Sequence, residues 1–245
     1  MNRKIGLAVI TFNRLDYLKQ CIESLQKNNW GGAEVRVVVD DGSDYEGYPE
    51  YLDFIGVEYG IEVLQLDVNS GVATAKNVGL QFLMDKQCTD LFLMEDDILM
   101  KNPTTCIKYI TYCMIHKLQH INFALHGQLN KGRGRIVDGV ACYPNIVGAF
   151  SYYTREVIEI VGYMDTNFVN AWEHVEHTYR VASMGYTTPF WFFADHIDSK
   201  DLLVEIEGSI DNSSIRPRND WKDNIEKGKV YWIKKHGSFL PPSPY

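Results

Sequence analysis

In the first hundred residues, continuous runs of apolar residues alternate with segments in which apolar residues recur at helical spacing. Four continuous apolar runs predict strands, because a parallel strand covered on both faces has few polar positions. These strands cover residues 4–12, 34–39, 61–66 and 91–94. Between them, apolar residues spaced by three or four predict helices. The alternation predicts an α/β fold with a mainly parallel sheet, right-handed crossovers and flanking helices.

The pattern after residue 100 is less regular. Gly162 is expected to end a short helix that Ser151 or Thr154 begins. The other predictions are a helix over 103–118, a hairpin turn over 131–135, a strand over 148–153, a helix over 170–180, a strand over 186–193 and a last helix over 221–235. We therefore expect one domain over residues 1–198, followed by an arm over 199–245 whose polar first part forms a flexible lid.

Composition excludes several classes of protein. The net charge of −8, with no long basic block, argues against a nucleic-acid partner. The five cysteines have no CxxC spacing, which indicates reduced core residues rather than a zinc site. A signal peptide and an apolar run of membrane-spanning length are both absent from the sequence. We expect a cytoplasmic protein, with peripheral contact to a membrane surface left open.

Three consecutive acids, Glu95, Asp96 and Asp97, interrupt an apolar stretch. Because unpaired buried carboxylates are costly, we expect them at a strand terminus that faces a cleft, beside a divalent cation. The alternative is a solvated turn, although such turns more often carry Gly, Asn or Pro.

A second acidic segment, Asp40-Asp41, follows the second predicted strand and precedes Gly42 and Ser43. This segment suits a loop that binds a ligand with side chains and backbone, and an acidic turn without a ligand is an equal alternative. The carboxyl ends of parallel strands share one sheet edge, so Thr11 and both acids are expected near the acidic triplet.

The segment from Asn69 to Lys76 begins the third predicted helix. Asn69 or Ser70 can cap this helix, and the small residues from Gly71 onward allow close approach of a ligand. Lys76 would point its ammonium into the same cleft. The glycine-lysine pattern of a phosphate loop is absent from the sequence.

Three interpretations compete for the predicted helix over residues 170–180. Glu173 and His177 lie four apart, as in some zinc sites, but lack a third ligand of matching spacing. A charged surface helix is the second interpretation. The third is an active-site helix whose first turn places a carboxylate beside Trp172, an aromatic plate able to stack on a sugar.

Two further groups are candidates for ligand contacts. His196 follows the last predicted strand and is either a metal ligand or a polar residue that caps the strand. Ser213, Arg216 and Arg218 lie in the predicted lid, where they would close on a diphosphate.

The order of these motifs resembles a family 2-type glycosyltransferase of the GT-A fold, over about residues 4–190. The resemblance rests on residues 9–14, Val38-Val39-Asp40-Asp41-Gly42-Ser43, the segment from Asn69 to Gly79, Glu95-Asp96-Asp97, and Gly162-Tyr163-Met164-Asp165 ahead of Glu173 and Arg180. It implies a nucleotide-binding half over 1–100 and an acceptor-binding half over 101–198.

The resemblance also implies roles for individual residues. Asp97 would be the main ligand of Mn²⁺ or Mg²⁺, with Glu95 and His196 as further candidates. The donor-binding candidates are Thr11, Asn13, Arg14, Asp40, Asp41, Asn69, Gly71, Lys76, Glu95, Asp96, Arg216 and Arg218. Trp172 and Trp191 would flank the acceptor.

The resemblance leaves three candidates for the catalytic base. The family usually has Glu-Asp where this sequence has Glu173-His174. Glu173 is the first candidate, with Glu176 and His174 behind it. A carboxylate near an acceptor hydroxyl can take its proton, while a metal ion neutralises the leaving diphosphate.

These features predict a metal-dependent transferase that moves a sugar from a nucleotide-sugar donor to a glycan or lipid-linked acceptor in polysaccharide or glycoconjugate biosynthesis. The resemblance implies inversion, and UDP is favoured by analogy. One alternative is a nucleotidyltransferase, which usually carries a glycine-rich basic loop after its first strand, whereas Thr11-Phe12-Asn13-Arg14 has no glycine. Another is a non-catalytic glycan-binding subunit of the same fold.

Overall fold

The computed structural model describes residues 3–209 and 220–244. Its strands are β1 (Ile5–Thr11), β2 (Val35–Asp40), β3 (Glu62–Gln65), β4 (Asp90–Glu95), β5 (Ile98–Met100), β6 (His120–Asn122), β7 (Arg135–Val137), β8 (Val140–Tyr143), β9 (Phe150–Thr154), β10 (Phe193–Asp195) and β11 (Leu203–Glu205). Its helices are α1 (Leu15–Lys27), α2 (Tyr48–Tyr59), α3 (Val72–Asp85), α4 (Thr105–His116), α5 (Arg155–Val161), α6 (Glu173–Ser183), α7 (Ser199–Leu202) and α8 (Trp221–His236).

The central sheet has six strands in the order β3-β2-β1-β4-β9-β6. β1 is parallel to β2 and β4, and β2 is parallel to β3. β9 is antiparallel to both β4 and β6, so β6 runs in the same direction as β4. The carboxyl ends of β1, β2, β4 and β6 therefore lie at one edge of the sheet, and this arrangement confirms the mainly parallel α/β prediction.

Side chains of β1 enter two hydrophobic clusters, one on each face of the sheet. Leu7 and Val9 belong to the first cluster, whereas Ala8 and Ile10 belong to the second. Helix α3 packs closely on β1 because Gly79 has no side chain. A Cβ at that position would lie 2.9 Å from the Cβ of Ala8. Close helix-to-sheet packing is thus the reason for glycine here.

Several local predictions are confirmed. The hydroxyl of Thr154 accepts a hydrogen bond from the backbone N–H of Val157 and caps α5, and Gly162, with φ of 84°, follows the last turn of that helix. Helix α2 ends at Tyr59, where Gly60 adopts φ of 62°. All five cysteines are free and buried.

Two predictions about the second half are wrong. Residues 186–192 form turns rather than a strand, and Trp191 adopts φ of 74°. The hairpin turn lies at Asp138 and Gly139, with φ of 51° and 82°, and not over residues 131–135. Two adjacent residues of positive φ match the twist of flanking antiparallel strands, which explains this position.

The described parts of the C-terminal arm pack against the domain. β11 pairs with β5, the strand that directly follows Asp96 and Asp97. In α8 the side chain of Trp232 is buried, and Gly228 lies against the indole of Trp172 at the start of α6. Ser213, Arg216 and Arg218 lie outside the described residues. In the two described ranges we find no helix that is both long and apolar enough to span a bilayer.

Candidate active site

A cleft of about 470 Å³ opens at the carboxyl edge of the central sheet. It brings together six of the predicted donor-binding residues from β1, the first three strand-to-helix loops, and the end of β4 with the turn after it. The lining residues are Ile10, Thr11, Phe12, Arg14, Asp41, Asn69, Val72, Glu95, Asp96 and Asn170. This is the edge where ligands of open α/β sheets bind.

The two acids after β2 hold the loops of this cleft. Asp40 is fully buried and accepts hydrogen bonds from Ser43 and from Gln65. Burial raises the pKa of Asp40, although these hydrogen bonds oppose the shift. Asp41 accepts from the backbone N–H groups of Ser70 at 2.8 Å and Gly71 at 3.0 Å. Asp41 therefore joins the β2 loop to the start of α3.

The cap of α3 differs from the prediction. Neither Asn69 nor Ser70 supplies a side-chain cap, and Gly71, with φ of 90°, occupies the N-cap position. The side-chain oxygen of Asn170 accepts from the backbone N–H of Val72 at 3.2 Å. The unusual φ excludes most side chains at residue 71, so a distant residue provides the hydrogen bond.

Asn13 shapes the β1 loop through its own hydrogen bonds. Its amide exchanges hydrogen bonds with Asp44, and its backbone N–H donates to the hydroxyl of Ser43 at 2.8 Å. Asn13 thus positions the neighbouring Arg14, whose guanidinium reaches the acidic turn.

Asp96 and Asp97 form a tight turn between β4 and β5, where Arg14 pairs with both. The hydroxyl of Thr11 also donates to Asp96 at 2.7 Å. Burial raises the pKa of Asp96, despite the opposing charge of Arg14. For Asp97 the effect of burial is outweighed by His126 and Arg14, which hold its pKa below the usual range. Asp96 lines the cleft, whereas Asp97 follows it in the turn and is not a lining residue, and Arg14, a predicted donor-binding residue, compensates part of their charge.

His126 was not among the sequence candidates, yet its Nε2 lies 3.4 Å from Oδ2 of Asp97. The residue follows β6, which runs parallel to β4, so its loop reaches the same sheet edge. A histidine just after a short apolar strand was the available signal. Its significance depended on knowing the direction of that strand.

The other predicted metal ligands have different neighbours. Glu95 pairs with Lys76. The ring of His196 packs against Tyr109 and Tyr112, and its Nδ1 accepts from the backbone N–H of Asp198 at 3.0 Å. Across residues 3–209 and 220–244, no group of three or more His, Cys, Asp or Glu side chains is arranged to hold a metal ion.

Lys76 is buried between the two halves of the site. Its Nζ donates to Oε1 of Glu95 at 2.6 Å and to the carbonyl of Gly148 at 3.0 Å, and lies 3.9 Å from Oε1 of Glu173. Burial lowers the pKa of Lys76, but the two carboxylates outweigh it and the net shift is upward. One ammonium thus connects the end of β4 with the start of α6.

Glu173 and His174 form a pair at the start of α6. Oε1 of Glu173 lies 2.9 Å from Nδ1 of His174. Burial favours a higher pKa for Glu173, yet His174 and Lys76 together lower it to about 2. Glu173 is only 3% exposed, whereas the side chain of His174 is 25% exposed. Of the two, His174 is the more accessible to a ligand.

Glu176 points toward the C-terminal helix. Its fully buried carboxylate accepts from Arg180 at 3.0 Å and lies 2.8 Å from Nζ of Lys235 and 3.2 Å from Nε2 of His236. His177 does not join it, because its Nε2 donates to the carbonyl of Gly162 at 2.8 Å. These contacts fit neither the zinc nor the solvated-helix interpretation.

The two tryptophans proposed for the acceptor contact C-terminal backbone. The indole N–H of Trp172 donates to the carbonyl of Ile225 at 3.1 Å, and that of Trp191 donates to Pro241 at 2.8 Å. Both indoles therefore lie against α8 or the segment that follows it.

Comparisons with known proteins agree with this geometry. The model of the family "Glycosyl transferase family 2" matches residues 7–99. A mimivirus protein of Acanthamoeba polyphaga, "Uncharacterized glycosyltransferase R363", is 27% identical over 248 residues, which cover 94% of this chain and 93% of that protein. "Glycosyltransferase GlyG" of Streptococcus pneumoniae serotype 4 is 32% identical over 104 residues, 42% of this chain and 33% of GlyG. Residues 7–99 are therefore similar to family 2 glycosyltransferases, and the similarity to the mimivirus protein extends over nearly the whole chain.

Solved structures show that the chain has the GT-A fold. S. aureus TarS aligns with a TM-score of 0.57 at 17% identity, over 73% of this chain and 33% of TarS. The mannosyltransferase PcManGT of Pyrobaculum calidifontis aligns with a TM-score of 0.57 at 18% identity, over 80% of this chain and 58% of PcManGT. GalNAc-T7 aligns with a TM-score of 0.58 at 15% identity, over 75% of this chain and 40% of GalNAc-T7. The chain spans one third to just over half of the length of these solved chains.

Proposed function

We propose that this protein is a glycosyltransferase that moves a sugar from a nucleotide-sugar donor, with UDP as the favoured nucleotide, to a glycan or lipid-linked acceptor. Mn²⁺ or Mg²⁺ assists, and the anomeric configuration inverts. The observation that carries the proposal is the ammonium of Lys76, which contacts Glu95 beside the cleft and approaches Glu173 on α6. Structures of similar fold include TarS with UDP and PcManGT with GDP-Man and Mn²⁺.

The cleft suits the nucleotide half of the donor. Asp41, Asn69, Thr11 and Arg14 are among the residues that line it. Their hydrogen-bonding groups suit a nucleoside, and the guanidinium of Arg14 suits a diphosphate.

The residues of the acidic turn fit a divalent cation. Arg14 and Lys76 supply two positive charges against the three carboxylates of Glu95, Asp96 and Asp97. Asp97 also has a buried oxygen, Oδ1, without a hydrogen-bond partner among the described residues. A bound dication would supply the charge that stabilises a departing diphosphate. Asp97 would hold it, while Asp96 stays with Thr11 and Arg14.

We assign to the pair of Glu173 and His174 the role of accepting the proton of an acceptor hydroxyl. Transfer requires this proton to leave as the hydroxyl oxygen bonds to the anomeric carbon and the bond to the diphosphate breaks. Lys76 and His174 orient the carboxylate of Glu173. Glu176 instead anchors α8 through Arg180, so we assign it a structural role.

The setting of the reaction is also part of the proposal. Five free, buried cysteines suit a reducing compartment, which supports the cytoplasm. Polysaccharide or glycoconjugate biosynthesis is the process that a glycan or lipid-linked acceptor implies. We propose Trp172 and Trp191 as acceptor-side residues on the basis of their position beside α6 and β10.

The test is calorimetric titration with UDP, GDP and dTDP, each with and without MnCl₂. We expect one nucleotide to bind at least about tenfold more tightly with Mn²⁺. Asp97→Ala should remove this metal-dependent gain, and the exposed Asp53→Ala on α2 is the matched control. Failure of all three nucleotides to bind would overturn the donor assignment, and an unchanged gain in Asp97→Ala would remove Asp97 from the metal site.

A further inference from the structure

We propose that His126 is a second protein ligand of the metal, opposite Asp97, and that it makes the site prefer a transition-metal dication such as Mn²⁺ or Co²⁺ over Mg²⁺. The inference rests on the proposed function, because nucleotide phosphate and water would complete the coordination. Its basis is the convergence of two buried atoms from loops far apart in sequence.

The distance between the two atoms suits a shared ion. Oδ2 of Asp97 and Nε2 of His126 are 3.4 Å apart. Two ligands at about 2.1 Å from one ion, at a right angle, lie about 3.0 Å from each other. A shift of a few tenths of an ångström would therefore bring both atoms into coordination distance.

Each side chain also has one buried atom without a hydrogen-bond partner among the described residues. Asp97 is 4% exposed, and these atoms are its Oδ1 and Nε2 of His126, whereas Oδ2 of Asp97 accepts from Arg14 at 3.1 Å. Buried polar atoms are nearly always paired, so one unpaired atom on each of two neighbouring side chains calls for an explanation. The contact between Asp97 and His126 has the distance of an ion pair but not the geometry of a hydrogen bond.

The backbone holds the two ligands in place. Gly127, next to His126, donates from its backbone N–H to Oε2 of Glu205 at 2.5 Å. The backbone N–H of Ile206 donates to the carbonyl of Asp97 at 2.8 Å. The strand β11 thus fixes both loops, and a site on such supported loops is pre-organised for one geometry.

Arg14 does not replace the metal ion. It pairs with Asp96, and it touches Asp97 only at Oδ2, at 3.1 Å. Oδ1 of Asp97 stays unpaired, and one carboxylate charge of the acidic turn stays uncompensated once Lys76 has paired with Glu95. A dication bound by Asp97 and His126 would compensate that charge.

The chemistry of the ligands sets the expected selectivity. Carboxylate, carbonyl and water suit Mg²⁺, whereas imidazole nitrogen favours transition metals. A site with Asp97 alone would accept Mg²⁺ and Mn²⁺ similarly. The addition of His126 should favour Mn²⁺ and Co²⁺.

The experiment is electron paramagnetic resonance of the full chain titrated with MnCl₂, first alone and then with UDP. We expect bound Mn²⁺ with spin-echo modulation from ¹⁴N, the signature of a coordinated imidazole. His126→Ala should lose the ¹⁴N modulation and bind Mn²⁺ at least about tenfold more weakly. Its affinity for Mg²⁺, measured by competition with Mn²⁺, should change less. His116→Ala, whose ring lies against Tyr112 on α4, is the matched control.

A second variant keeps the test independent of folding. His126→Asp supplies an oxygen ligand, so it should retain a bound ion, lose the ¹⁴N signal and shift its preference toward Mg²⁺. Mn²⁺ that binds to the natural sequence without ¹⁴N modulation, or unchanged modulation in His126→Ala, would overturn the proposal.

The same titrations separate this inference from the proposed function. UDP that binds without any bound Mn²⁺ would overturn the metal site and leave the nucleotide assignment standing. Nitrogen-coordinated Mn²⁺ without binding of any nucleotide would support His126 and overturn the donor assignment. Absence of both Mn²⁺ and nucleotide binding would overturn both.

Discussion

Oε1 of Glu173 lies 3.9 Å from Nζ of Lys76, a buried ammonium that also donates to Glu95 at 2.6 Å. One ammonium therefore pairs with a carboxylate beside the cleft and with a carboxylate at the start of α6. Because both contacts involve buried groups, loss of the cation would leave negative charge uncompensated. Lys76 thus contributes to the stability of the fold and to the orientation of the proposed base.

Lys76→Met should lower the free energy of unfolding by about 3 kcal/mol, because it leaves Glu173 buried without this cation. Urea denaturation at pH 7 measures the change. Lys86→Met is the control, since Lys86 and its partner Glu62 have side chains that are 45% and 56% exposed. The control substitution should lower the free energy of unfolding by about 0.5 kcal/mol or less. Equal decreases in the free energy of unfolding of the two variants would show that the buried contacts of Lys76 stabilise the fold no more than the exposed pair of Lys86 does.

Glu173→Gln should retain nucleotide binding within about twofold and lose transfer by about 10²–10⁴-fold, because the proposed proton acceptor is removed. The measurement is nucleotide release from the nucleotide-sugar whose nucleotide binds in the calorimetric screen. Glu156→Gln, an exposed acid on α5, is the control. A fully active Glu173→Gln, together with an inactive His174→Gln, would assign the proton to His174 alone.

Glu176→Gln should destabilise the protein by about 3 kcal/mol, because it weakens a buried charge cluster with Arg180 and Lys235. It should also expose α8 to proteolysis, since Lys235 is on that helix. Thermal unfolding and limited proteolysis measure the two effects, with Glu226→Gln on the exposed side of α8 as control. A stable variant with protected α8 and no transfer would instead place Glu176 in catalysis.

The protein should lose stability as the pH falls from about 6.5 to 4, partly because of His120. Burial lowers the pKa of His120 to about 4, against a smaller opposing effect of its hydrogen bond with Tyr152. In the unfolded chain this ring takes up a proton near pH 6.5, so stability present above that pH is lost as the pH falls toward the folded pKa. The full loss is about 3 kcal/mol.

Urea unfolding at pH 7.5, 6, 5 and 4 tests this dependence, with His120→Gln compared with His116→Gln. The His120 variant should have a shallower slope between pH 6.5 and 4. Burial and the charge of Arg180 lower the pKa of His177 to about 3. His177 should therefore still contribute to the pH dependence of stability in both variants. An unchanged slope in His120→Gln would contradict the prediction.

Features that depend on local sequence were predictable. Apolar runs and helical spacing located β1, β2 and α3 within a few residues, because burial requires those periods. The acids after β2 and β4 were expected at one sheet edge, since parallel strands place their carboxyl ends together. Gly162 was recognised as a helix end because the chain needs positive φ there.

Pairings between distant segments were not predictable from one sequence. Nothing local indicates that Asn170, rather than Asn69 or Ser70, bonds the start of α3. The aromatic stretch before β10 has the composition of a strand, but tertiary packing turns it at Trp191 instead.

The sequence by itself determined the alternating strands and helices, the acidic strand ends and the resemblance to a glycosyltransferase family, since each is written in residue type and spacing. Only the tertiary structure decided which charges meet: Arg14 with Asp96, Lys76 with Glu95 and Glu173, and His126 with Asp97. The reason is that strand order and direction set these contacts, and β6 faces the acidic turn because it joins the sheet through the antiparallel β9.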